Sequence, residues 1–247
     1  MPVHQPLYGS RSTGTYESIT TTNDRGLTPA CWRGLDVSVL GSGRQLFYFN
    51  DFHEYNSSLV TGTQATTGTI AHSVAEYGAV EIDCNSTTNG QGFNVQFNGP
   101  YVTPAAGELV IFECRLKVAD IATGPELFAG LATTDTTIIA SDAVAVADWM
   151  GFYSLASNAV YAGVEDGTQS VTSSAVHTLV DDTYVKLGIR VHHSNKIEVY
   201  VDGELVQTNL TASAAPDAIL RPSFVCQSNG TTDPILHVDW FAVGYAV

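Results

Sequence analysis

Tyr184-Val-Lys-Leu-Gly-Ile-Arg-Val191, His192-His-Ser-Asn195, Lys196-Ile-Glu-Val-Tyr-Val201, Asp202-Gly203 and Glu204-Leu-Val-Gln207 follow one another without a break. Val185, Leu187, Ile189 and Val191 alternate with Tyr184, Lys186, Gly188 and Arg190. Ile197, Val199 and Val201 alternate with Lys196, Glu198 and Tyr200. Side chains on a strand point to opposite faces in turn, so this pattern predicts strands with one apolar face and one face left to water. Asp202-Gly203 is the two-residue pair that supports positive φ in a tight hairpin, and 192–195 supplies the preceding turn.

Strand signals continue in both directions. Leu46 to Phe52 is an aromatic strand, and Gly78–Cys84 and Gly92–Phe97 flank the turn-rich Asn85-Ser-Thr-Thr-Asn-Gly90. Glu108 to Val118 reads as one long strand, followed by Leu127–Ala132, Met150–Tyr153, Ala159–Val164, Ile219–Cys226 and Ile235–Tyr245. Only Ser141 to Asp148 suggests a helical turn. Many short strands without alternating helices predict an all-β sandwich or barrel. The length of 247 residues fits one such domain, spanning 46–247, behind an N-terminal arm of residues 1–45.

Charged residues make up only 14% of the chain, and Thr, Ser, Asn and Gly supply the polarity instead. Such surfaces suit side-by-side packing in an assembly, where every buried charge needs a partner. A net charge of −15 argues against nucleic acid as a partner. The arm departs from this acidity: Arg11, Arg25, Arg33 and Arg44 stand against Glu17, Asp24 and Asp36, and no lysine precedes Lys117. The arm lacks periodicity and carries Tyr8, Tyr16, Trp32 and Leu35 at irregular spacing. That composition is a poor core but a good set of anchors for a segment laid along another surface, with arginine suited to carboxylates there. Cys31, Cys84, Cys114 and Cys226 are far apart and form no metal spacing, which predicts reduced, buried thiols. Met-Pro-Val-His-Gln opens without a basic, then apolar, leader, and no apolar run approaches a membrane span; production and assembly in a reducing cytoplasm is the expectation.

Tyr184–Val191, Lys196–Val206 and the closing Leu236-His-Val-Asp-Trp-Phe-Ala-Val243 resemble the concanavalin A-like (laminin-G-like) jelly roll over roughly residues 46–247. With its aromatic opening strand and its arm, the whole layout resembles jelly-roll structural proteins of tailed phages. That resemblance implies a non-enzymatic virion protein, most like a capsid decoration (cement) protein on the outer capsid surface. Its partners would be the major capsid protein and sister copies, a trimer by analogy, engaged through Tyr8, Arg11, Arg25, Trp32, Arg33 and Arg44. A carbohydrate-binding module of a phage tail or fibre, recognising surface glycans through an aromatic-lined patch, is the alternative.

A glycoside hydrolase of the same fold is the third reading. One branch sets three carboxylates on a strand as Glu-x-Asp-x-x-Glu. Glu81 and Asp83 match the first two, but Ser86 stands where the third belongs, so no proton donor is expected and no catalytic residue is assigned. Gly-x-Ser-x-Gly and phosphate-loop motifs are absent. His192-His193 would not chelate from adjacent strand positions, and Asp135, Asp142, Asp148, Asp166 and Asp181 form no calcium-loop pattern, so neither metal nor cofactor is expected. Trp32 is expected to anchor the arm and Trp240 to lie in the core, while Trp149 could either stack on sugar or be buried.

Overall fold

A computed structural model describes residues 26–33, 35, 45–53, 56–64, 67–73, 78–104, 108–192, 194–212 and 216–246. Tyr8, Arg11, Arg25, Arg44 and His193 lie outside these residues. Strands are numbered here in chain order. The first sheet runs β16 (Glu204–Thr211), β15 (Lys196–Val201), β14 (Val185–Val191), β6 (Leu109–Ala119), β18 (Ile235–Ala246), β4 (Ala79–Asp83) and β3 (Thr69–Ser73), with β1 (Gln45–Asn50) also paired to β18. The second runs β12 (Ser170–Thr172), β11 (Ala159–Asp166), β10 (Asp148–Ser154), β7 (Glu126–Ala132), β17 (Arg221–Gln227), β5 (Gly92–Phe97) and β2 (Val60–Gln64), with β13 (His177–Thr178) paired to β11. The register of every strand pair is antiparallel. The architecture is an all-β sandwich, one of the two forms the strand pattern predicted, and fits the jelly roll that the resemblance implied.

The core lies between the sheets. Val110, Phe112, Cys114, Leu116 and Val118 on β6 face it in strict alternation, beside Leu187 and Ile189 on β14 and Phe241 and Val243 on β18. Phe52, Phe97, Phe224 and Phe241 form its aromatic centre, with the Phe97 and Phe241 rings 4.9 Å apart. The predicted turn Asp202-Gly203 has φ of 48° and 89°, the left-handed pair that matches strand twist. All four cysteines are free and buried.

Two details differ from the sequence reading. Ser141 to Asp148 is not helical: Ile139–Ala140 (β8) and Ala143–Val144 (β9) form a small hairpin across Ser141 and Asp142, whose φ values of 53° and 57° make the tight turn. The second difference concerns the polar positions of β14 and β15, which do not face water. Lys186, Arg190 and Glu198 are buried. Residues 26–33 and Leu35 lie across them as a strap on the outer face of the first sheet. The described part of the arm therefore packs on the body itself.

Candidate functional site

Both outer faces of the sandwich are covered, and each cover brings polar groups together. On the first sheet, cross-strand register sets Glu113 beside Gly188, and Gly188 beside Tyr200. The missing side chain at Gly188 leaves room for Cys31, whose Sγ would stand 3.2 Å from a Cβ there. Glu113 is fully buried and accepts from the Thr28 amide at 3.1 Å to each carboxylate oxygen, and from the Trp32 indole Nε1–H. Burial pushes its carboxyl up, against these donors and the nearby Lys186 charge. Arg190 donates to the carbonyls of Cys31 (3.2 Å) and Arg33, and Lys186 to the carbonyl of Gly26 (3.3 Å), while the Tyr200 hydroxyl, whose proton goes to Glu198, lies 3.4 Å from the carbonyl of Ala30.

Arg33 grips Glu198 with one nitrogen at 3.0 and 3.1 Å from its two oxygens. Glu198 also receives Tyr200 at 2.9 Å and stands 2.9 Å from His192 Nε2. Burial would raise Glu198, but the His192 and Tyr200 hydrogen bonds and the His192 and Arg33 charges outweigh it and hold the carboxyl at about 2. Burial in turn lowers His192, so near neutral pH it stands as an uncharged imidazole beside the carboxylate.

Trp32 and Arg33, two of the six residues assigned to partner binding, are thus brought together on the chain's own sheet. The signal for this was available in part: a wet strand face carrying Lys186, Arg190, Glu113 and Glu198 calls for acidic and basic partners, and the arm holds arginines. Nothing in the spacing singled out the backbone carbonyls of 26–33 as those partners.

The second sheet holds a pocket. Gln96 donates to the carbonyl of Thr133 (2.9 Å) and accepts from the amide of Asp135 (2.9 Å), and Asn94 donates to the carbonyl of Asp135 (2.8 Å). This clamp aims the β8–β9 hairpin over the sheet. Ile138, Ile139 and Val146 then pack on Phe128, Trp149 and Val225. The hairpin tip carries Asp142 to Glu126, the first residue of β7, which is register partner to Gln227 at the end of β17.

Glu126, Gln227, Asn89, Thr137, Ile139 and Asp142 are among the residues enclosing a cavity of about 300 Å³. Glu126 is 2% exposed, and its Oε1 is buried with no hydrogen-bond partner. Burial, then the hydrogen bond and charge of Asp142, push its carboxyl up to about 7. On the same face, one row along, Tyr153 is the register partner of Phe128 and stacks on Tyr161 with centroids 5.6 Å apart. Both tyrosines are half-buried. Asp142 forms no calcium-loop pattern in the sequence, and nothing there links it to Glu126 and Gln227, since the three meet only through the β7–β17 pairing and the hairpin.

The remaining candidates fall into structural roles. Glu81 Oε2 stands 3.9 Å from His237 Nδ1, and Asp83 accepts from the Asn85 amide (2.7 Å) to hold a turn. Trp149 is buried, donating to Glu165 at 2.9 Å, and Trp240 is buried against Phe49. Among the described residues, no three His, Cys, Asp or Glu side chains are grouped to hold a metal.

With this geometry in place, the chain can be set beside solved structures. It superposes on a seed lectin of Lotus tetragonolobus with a TM-score of 0.57 at 9% identity, covering 82% of this chain and 99% of that one. A Bacillus licheniformis β-glucanase gives 0.55 at 13% identity, over 81% and 98%. The Emp47p carbohydrate recognition domain gives 0.55 at 11% identity, over 87% and 100%. The fold is the concanavalin A-like jelly roll. At such identities the likeness establishes the fold and no more. No family model matches the chain, and no curated protein matches it.

Proposed function

We propose that this jelly roll is a non-catalytic glycan-binding module whose site is the Glu126–Asp142–Gln227 pocket. The observation that carries the reading is the unpartnered, buried Glu126 oxygen at the wall of a cavity about 300 Å³ in volume. A buried acceptor without a donor is costly, and a ligand hydroxyl satisfies it. Gln227 adds an amide and Asn89 another, and one row away on the same face the half-buried Tyr153 and Tyr161 rings lie stacked on each other. The named binding domains of similar fold, a seed lectin and a carbohydrate recognition domain, support the same class of ligand.

Hydrolysis fits the pocket poorly. Glycosidases keep their two carboxyls roughly 5–9.5 Å apart to flank the scissile bond. Asp142 instead lies directly against Glu126, close enough for it to raise that carboxyl. Screening the protein on a glycan array, followed by calorimetry on the best hit, tests the proposal. Glu126→Ala and Gln227→Ala should each weaken binding by about tenfold or more, the value of one or two lost buried hydrogen bonds. Full binding in both variants would overturn it.

Decoration of a phage shell is the second reading. The observation favouring an assembly role is apolar exposure: Leu59, Tyr101 and Ile219 are 50–60% exposed, and Leu205 and Val206 lie open on the edge strand β16. Exposed apolar side chains of this size mark protein contacts when they gather. The copy number of this chain per major capsid protein in purified particles tests it. A small-integer ratio supports decoration, and a handful of copies per particle moves the protein to a tail or fibre.

A further inference from the structure

The first sheet carries a second built site, on the opposite side of the sandwich from the pocket and independent of the glycan reading. Its outer face is an acceptor surface for one specific segment. Glu113 takes the amide of Thr28 and the indole of Trp32, Lys186 and Arg190 take the carbonyls of Gly26, Cys31 and Arg33, and Glu198 takes the Arg33 guanidinium. Trp32 and Leu35 close the far end, filling the space a side chain at Gly244 would occupy. None of these contacts depends on the segment belonging to the same chain.

The covalent connection has length of its own. Trp32 already touches Phe47, with ring centroids 5.3 Å apart, yet residues 36–44 lie between Leu35 and β1. Nine residues span about 30 Å when extended. The length admits a neighbour's sheet as well as the chain's own.

We propose that the outer face of the first sheet accepts residues 26–35 from a second copy of this chain, so that copies are linked by exchange of the strap. The physical reason is that an exchanged strap forms the same contacts as a self-docked one. The balance between the two is set by effective concentration rather than by contact energy. Crowded copies, as on any repetitive surface, shift it towards exchange. The partner recognised is a peptide segment with the order Thr28, Cys31, Trp32, Arg33 and nothing more general, because each of those residues has its own seat.

Arg33 and Lys196 both reach the same Glu198 oxygen, at 3.0 and 3.4 Å, and both are about half exposed. Full-length Arg33→Cys and full-length Lys196→Cys are mixed at high concentration, incubated, and treated with a short bismaleimide. The native thiols are buried and each single variant alone serves as the control. Exchange predicts a crosslinked dimer in the mixture several-fold above either variant alone, falling on dilution before mixing. The double variant Arg33→Cys/Lys196→Cys reports the seat itself by an intrachain crosslink. An intrachain crosslink without any excess dimer in the mixture overturns the proposal. Absence of the intrachain crosslink overturns it too, because the strap is then not on this face.

Discussion

With its carboxyl pushed up to about 7 by burial and by Asp142, Glu126 ionises in the folded protein only near or above neutral pH, whereas in the unfolded chain it ionises near 4.3. A raised folded value stabilises fully below about 4.3 and loses that contribution as pH rises through 7. Glu126→Gln, which keeps the shape and removes the charge, should therefore gain on the natural protein between pH 4.5 and 8. Solvent reaching the pocket screens the pair, so the gain should be about 1–2 kcal/mol. Urea midpoints of both proteins at several pH values check this, and parallel curves would refute the assignment. Trp32 offers a matching test on the other face. Trp32→Phe keeps most of the ring but leaves buried Glu113 without its indole donor, which should cost about 1–3 kcal/mol in the same measurement.

At the scale of elements, the strap rests on a second glycine besides Gly188. A Cβ on Gly244 would stand 2.5 Å from Leu35 Cδ1 and 2.6 Å from Trp32 Cζ3. Gly244→Ala should lift the strap's end, destabilise the protein by about 1–3 kcal/mol as an overpacked contact, and shift tryptophan fluorescence to the red. An unchanged spectrum would mean that the strap does not rest there.

The strands themselves were legible wherever apolar residues alternate. β5 was read residue for residue, and β14, β15 and the Asp202-Gly203 turn came straight from the pattern. β2 (Val-Thr-Gly-Thr-Gln) and β3 (Thr-Ile-Ala-His-Ser) were not, because edge strands of Thr, Gly and Ser bury little and carry no period-2 signal. The β8–β9 hairpin was misread because Ser141 and Asp142 supply its turn without the usual glycine. The pocket went unseen with it: its members come from β7, β17, the β4–β5 loop and this hairpin, which only pairing brings together.

For the whole molecule, what matters is where the packed body begins. Sequence composition changes at residue 46, but burial does not: Thr28 and Cys31 are as buried as the core strands. A chain lacking residues 1–25 keeps every contact between the strap and Glu113, Arg190 and Glu198 described above. Removing residues 1–35 takes the strap away and leaves Glu113, which is fully buried with it in place, and Glu198 facing water or one another's partners unevenly. Exchanging these hydrogen bonds for water costs about 0.5–1.5 kcal/mol for each one, and an unmatched outer face with exposed Ile111 and Tyr200 invites association. Thermal unfolding should therefore fall by roughly 5–10 °C or more on going from the first truncation to the second, given about 2–4 °C per kcal/mol at this chain length. Light scattering on the shorter chain should show higher-order species that a synthetic peptide of residues 26–35 suppresses. Equal melting of the two truncations would place the strap's contribution near zero and return residues 26–35 to the role of a free arm.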